Sequence, residues 1–121
     1  MPGELISAFS IQGRWLRSTY LKVRDRQSYE FALSSAAIAL DVQDGTIRDS
    51  RIALGGVATI PWRAREAEAL LKGQKFGDAL ASQVAEAAFK SAISRKHNAF
   101  KIALGKRVVS RALHQAATME I

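Results

Sequence analysis

The chain has no cysteine. That removes disulfide frameworks, thiolate-held zinc or iron–sulfur centres and thiol nucleophiles. Only two histidines are present, His97 and His114, and neither has a partner ligand at metal-binding spacing. No apolar run approaches the roughly 18 residues of a membrane span. The start, Met1-Pro2-Gly3-Glu4, lacks the charged and then apolar regions of a secretory leader. A cytoplasmic location is therefore expected, with a periplasmic parent complex left open. Aromatic residues make up 7% of the chain, too few for an evident single-strand stacking platform. Neither G-x-G-x-x-G after a strand nor G-x-x-x-x-G-K-S/T occurs, and no G-x-S-x-G elbow supports a catalytic serine. Gly105-Lys106 falls inside a helical pattern, not a phosphate loop.

What remains is a single domain's worth of ordinary globular sequence. The 121 residues are 48% hydrophobic and 24% charged, enough for a modest core. Lys and Arg number 18 against 11 Asp and Glu, a net charge of +7. The charge is uneven. Between Glu86 and Glu120 stand Lys90, Arg95, Lys96, Lys101, Lys106, Arg107 and Arg111 with no acidic residue among them. Arg14, Arg17, Lys22, Arg24 and Arg26 form a second cluster, interrupted by Asp25. Such footprints suit nucleic acid, an anionic cofactor or an acidic partner, or simply a solvated face.

The first half reads as strands. Glu4 to Ile11 is short and mostly apolar, and Gly13 ends it. Residues 20–26 alternate, with Tyr20, Lys22, Arg24 and Arg26 on one face and Leu21, Val23 and Asp25 on the other. Asp44-Gly45 is a type I′ hairpin signal, so residues 32–42 and 46–58 are expected to pair. Gly55-Gly56 suggests a bulge, a close backbone approach or plain packing glycines, and Pro61 closes the sheet region.

The second half reads as helices. The first runs from Arg63 to Leu71, with Ala64, Ala67, Leu70 and Leu71 on one side and Gly73 as its stop. Asp78 is the expected N-cap of a second helix reaching about Ile93, whose apolar face is Leu80, Ala81, Val84, Ala85, Ala88 and Ala92. Asn98 is the expected cap of a third, about 99–117, with Ile102, Val109, Leu113 and Ala116 inward and Gly105 allowing a close neighbour. Strands followed by helices imply an α+β fold, an antiparallel sheet of three to four strands with three helices packed on one face.

Tyr20 and the cations beside it offer an aromatic surface and positive charge to a planar or anionic ligand. The same pattern serves as an edge strand guarded against aggregation.

The stretch Ser18-Thr19-Tyr20-Leu21-Lys22-Val23-Arg24-Asp25-Arg26-Gln27-Ser28-Tyr29-Glu30-Phe31-Ala32-Leu33 closely resembles the flavoprotein subunits of molybdenum hydroxylases. These form the xanthine dehydrogenase and carbon monoxide dehydrogenase family, and the bacterial aldehyde-oxidising members look nearest. Pro2 to Ile6, Asp44 to Asp49, Ala53 to Ala58, Pro61 to Glu68, Asn98 to Ile102 and Arg107 to Leu113 fit the same family in the same order. The resemblance covers essentially the whole chain, 1–121, as the C-terminal domain of that subunit. It implies a small α+β sandwich and a preceding FAD-binding domain that is absent here. Met1 is then an added or fortuitous start.

The resemblance further implies that Lys22 approaches the flavin ring, where an ammonium stabilises negative charge on the reduced cofactor. Tyr20, on the same face, is a second cofactor-binding candidate. Arg24 and Arg26 are left open between cofactor and partner. The implied partners are the missing FAD-binding domain and the iron–sulfur and molybdopterin subunits. The parent is an oxidoreductase, and the isolated chain is expected to be inactive and to hold no FAD. Two other readings stay open: a structural or dimerisation domain without cofactor contact, and a basic module binding nucleic acid without sequence preference.

Overall fold

The computed structural model describes residues 3–11, 13 and 16–120. Arg14 of the second basic cluster, and Met1 and Pro2 of the proposed start, lie outside the described residues.

Four antiparallel strands in the order β1-β2-β3-β4 make one sheet: β1 Arg17–Val23, β2 Ser34–Gln43, β3 Thr46–Gly55 and β4 Trp62–Arg63. Three helices follow, α1 Arg65–Leu71, α2 Asp78–Ala88 and α3 Phe100–Ala117. The α+β order expected from the sequence is the one observed. Asp44 (φ 51°) and Gly45 (φ 73°) make the tight turn between β2 and β3, the conformation that a two-residue I′ hairpin requires.

The helices cover one face. Ala36, Ile38 and Leu40 from β2 and Ile52 and Leu54 from β3 are buried beneath Ala67 and Leu71 of α1, and Val109, Ala112 and Leu113 of α3. α3 lies on β1 and β2, α1 lies on β3, and α2 packs between these two helices. Alanine dominates the α2 interface (Ala81, Ala85, Ala88), and buried Gly105 of α3 faces the ring of Phe89. Small side chains let the helix backbones approach closely.

Several local expectations are corrected. Residues 4–11 are irregular, not a strand, because no described strand pairs with them. β1 begins and ends earlier than 20–26, since Arg24 turns back to donate to the Ser28 carbonyl at 2.7 Å. Arg24 and Arg26 therefore do not continue the face of Tyr20 and Lys22. β3 stops at Gly55, and the sheet's register shift falls between Asp41 and Val42, not at the glycine pair. Pro61 does not close the sheet: Trp62 and Arg63 pair with Leu54 and Ala53.

The helices also differ in detail. Leu70 is exposed while Ala64, Ala67 and Leu71 are buried. Asp78 is the first residue of α2 and Gly77 is its N-cap, although a carboxylate there still favours the helix dipole. α2 ends at Ala88, where Phe89 and Lys90 close the helix with bonds to the Glu86 and Ala87 carbonyls, both 3.2 Å. Ala92 consequently lies outside the helix and is exposed. Asn98 does not cap α3; its Oδ1 accepts the Arg95 amide at 2.6 Å, and Ala99 holds the cap position.

Candidate functional site

With all three helices on one side, the other face of the sheet is open. Period two sends Thr19, Leu21 and Val23 toward the helices and Ser18, Tyr20 and Lys22 away from them. The strand register then fixes their neighbours. Tyr20 stands opposite Ala37, Ala37 opposite Ala53, and Ala53 opposite Arg63. One step along, Lys22 stands opposite Ser35, and Ser35 opposite Gly55. The result is a shallow floor of Ala37, Ala39 and Ala53 with Tyr20 at one rim and Arg51 and Arg63 at the other.

The two arginines are fixed within the chain. Arg63 donates through Nε and Nη2 to the Glu68 carboxylate, the second bond at 3.0 Å, and Glu68 Oε1 also accepts the Ile52 amide at 2.8 Å. The Glu68 hydrogen bond is the main cause that raises the Arg63 pKa above the usual arginine value, with smaller help from the charges of Glu68 and Asp49 and partial opposition from burial. Arg51 is paired with Asp49 and donates to the Ser50 carbonyl at 2.8 Å. Lys22 differs. It is half-buried, and its side chain has no ion pair or hydrogen bond among the described residues. Tyr20 beside it is 62% exposed. Sequence reasoning finds Tyr20 and Lys22 by alternation. It misses Arg51 and Arg63, because only the pairing of distant strands brings them to the same face.

The loop after Lys22, residues 24–33, is clamped at its far end. The Leu33 amide donates to the Val23 carbonyl at 2.8 Å. Gly56 (φ 72°) presses on this loop so closely that a Cβ there would sit 2.7 Å from the Ala32 carbonyl oxygen. Lys101 Nζ donates to the Gly56 carbonyl at 3.1 Å. Gly56 thus serves close backbone approach, one of the alternatives that the sequence left open, while Gly55 makes room for the Ser35 side chain. Tyr29 and Phe31 of the loop are fully exposed.

Part of the basic charge is structural. Arg17 donates to the Ala117 carbonyl at 2.7 Å at the end of α3, and Lys106 pairs with Glu86. Arg95, Lys96, Arg107 and Arg111 remain solvent-facing. His97 is exposed, while His114 sits edge-on to Phe76 with ring centroids 5.0 Å apart and 3.6 Å from Asp78. Among the described residues no three His, Asp or Glu side chains converge on a metal position, and no helix is long and apolar enough to cross a membrane. A second hollow, lined by Leu54, Val57, Trp62, Phe89 and Ile93, has a volume of about 230 Å³, below the usual range of small-molecule pockets.

The described residues thus form a four-stranded antiparallel sheet with helices on one face and Tyr20 and Lys22 on the other. Residues 19–116 match the family model of the CO dehydrogenase flavoprotein C-terminal domain, and the chain belongs to that family. It is 41% identical over 120 residues to the aldehyde oxidoreductase FAD-binding subunit PaoB of Escherichia coli, covering 96% of this chain and 34% of that subunit. Likeness to the glyceraldehyde dehydrogenase medium chain of Sulfolobus acidocaldarius is 32% over 83 residues, 69% of this chain and 30% of that one. The fold superposes on quinoline 2-oxidoreductase from Pseudomonas putida 86 with a TM-score of 0.80 and 27% identity, covering 86% of this chain and 38% of that one. The chain therefore spans about a third of the length of the relatives it matches. The family and fold implied by the resemblance are those observed.

The residues present suit one part of an FAD molecule. A flat alanine floor, an exposed phenol ring and an unpaired ammonium suit a planar ring bearing carbonyl groups. The usual glycine-rich phosphate-loop patterns do not occur in the sequence. α1 is only seven residues long, its N-cap Ala64 offers no side-chain bond, and no glycine-rich loop precedes it.

Proposed function

We propose that the chain acts as the C-terminal domain of the FAD-containing subunit of a molybdenum hydroxylase-type oxidoreductase, covering the flavin with the open face of its sheet. The observation that carries this reading is half-buried Lys22, without an ion pair or hydrogen bond among the described residues, beside exposed Tyr20 on a face bare of helices. FAD, when bound, supplies the exchange of electrons between the enzyme's other centres and its acceptor. Lys22 would bring a positive charge near the flavin and stabilise negative charge on the reduced cofactor, and Tyr20, on the same face, would pack beside it. The diphosphate would be held by the FAD-binding domain that the resemblance implies ahead of this one. Iron–sulfur and molybdopterin subunits are the partners of the assembled enzyme. The chain alone carries no complete step of that electron path.

The test is Lys22→Ala in the flavoprotein subunit containing this domain. The fold should be unchanged, because a strand-face lysine adds little to the core. The FAD reduction potential should fall. One charge-assisted contact is worth about 1.5–3 kcal/mol, and about 1.4 kcal/mol corresponds to about 30 mV for a two-electron couple. A drop of tens of millivolts is expected, smaller in Lys22→Arg. An unchanged potential would leave Lys22 as an edge-strand guard and favour a structural domain without cofactor contact.

A further inference from the structure

α2 stops short of one end of the sheet. After Ala88 the chain turns at Phe89, whose ring lies against Gly105, and residues 91–99 are turns and irregular chain. Residues 56–59, after β3, form the facing wall, and a groove runs between the two. One half of the groove is the hollow of about 230 Å³ over buried Leu54 and Phe89, with Trp62 and Ile93 at its rim. The other half, about 330 Å³, shares Val57, Phe89 and Ile93 with the first and ends at Asn98 and Lys101. Leu54 and its pair Trp62 are one step out of phase with Ala53 and Arg63. The groove therefore opens on the helix side of the sheet, away from Tyr20 and Lys22. Ile93 is 78% exposed and Ile60 of the facing loop 70%. Apolar surface of this kind, rimmed by polar groups, marks an interaction site.

Charge narrows the occupant. No Asp or Glu lines either half, and none occurs between Glu86 and Glu120. Arg95 at the rim is exposed, and its side chain has no ion pair or hydrogen bond among the described residues. Lys101 gives one N–H to the Gly56 carbonyl and keeps two. A second copy of the chain, at a net charge of +7, would set the same cations against these. The apolar half has room for one large side chain, and an open groove suits an extended segment. We propose that this groove docks an acidic segment of another protein, with one apolar side chain over Leu54 and Phe89 and carboxylates on Arg95 and Lys101. The inference stands apart from the flavin contact, since it uses neither Lys22 nor Tyr20.

Selection of a phage-displayed random peptide library on the full chain tests it, followed by affinity measurements with the enriched peptides in synthetic form. Enriched peptides should carry one large apolar residue beside Asp or Glu. Their affinity should fall at least about tenfold in Ile93→Ser and in Arg95→Glu, and should weaken as salt rises. Both side chains are exposed, so the Tm of each variant should match that of the unaltered chain. Arg95→Lys keeps the charge and should lose less. A library that enriches no peptide, or enriches peptides without carboxylates, would overturn the proposal. So would acidic peptides that bind Ile93→Ser as well as the unaltered chain, which would reduce the effect to general basicity. A dimer of the chain that Ile93→Ser dissolves would make a second copy the occupant and overturn it too. A polythymidine oligonucleotide that binds more tightly than any peptide, and loses that binding in Ile93→Ser, would do the same for nucleic acid.

Discussion

A Cβ at position 105 would overlap Cζ and Cε1 of Phe89, so α3 can rest on the end of α2 only because residue 105 is glycine. Two effects oppose each other in Gly105→Ala. Alanine favours a helix interior by about 1 kcal/mol over glycine. Overpacking a dense contact costs about 1–3 kcal/mol, and Phe89 is buried. Net destabilisation of about 1 kcal/mol is expected by urea titration. Phe89→Leu in the same chain should recover part of it, whereas an additive loss would show that the two residues do not touch.

Gly56→Ala should be worse. Here the obstacle is backbone, the Ala32 carbonyl oxygen at 2.7 Å, and φ is 72°. A left-handed alanine alone costs about 1–2 kcal/mol, and the loop must also move. A loss of about 2–4 kcal/mol is expected, together with faster exchange of the Leu33 amide, whose bond to Val23 anchors the loop.

Glu68→Ala removes the acceptor shared by Arg63 and the Ile52 amide. The Glu68 side chain is only 11% exposed. A buried amide left without a partner costs about 1–3 kcal/mol. Destabilisation in that range should appear in thermal unfolding, and the amides of β4 should lose protection first. Glu68→Gln retains an acceptor and should lose less.

Arg17→Ala should fray the last turn of α3, because its guanidinium donates to the Ala117 carbonyl at the negative end of the helix dipole. A loss of about 1 kcal/mol is expected, with faster exchange confined to the last turn of α3 and the start of β1.

The chain alone should emerge from gel filtration without FAD, since its sequence has no glycine-rich pyrophosphate-binding loop. Its binding to nucleic acid should be weak, indifferent to sequence and steeply reduced by salt. Stoichiometric flavin absorbance, or preference for one sequence at physiological salt, would contradict these expectations.

Some elements are readable in the amino-acid sequence because local chemistry alone determines them. Asp44-Gly45 specifies its turn by conformation, and the spacing of Val109, Leu113 and Ala116 marks the inner face of α3. Tyr20 and Lys22 are legible as partners because alternation within one strand needs no other residue. What escapes depends on distant pairing. Trp62 and Arg63 form a strand only because Leu54 and Ala53 lie ready beside them. Residues 4–11 have a strand's composition, yet no described strand pairs with them. Asn98 has the chemistry of a helix cap, but the Arg95 amide claims its oxygen.

The bond from Arg17 to Ala117 joins the first residue of β1 to the last residue of α3, 100 positions apart. The polypeptide enters and leaves this unit at a single corner. A new linker between the two ends could be short, so a circularly permuted version, opened instead at the exposed Asp44-Gly45 turn, should keep the same packing.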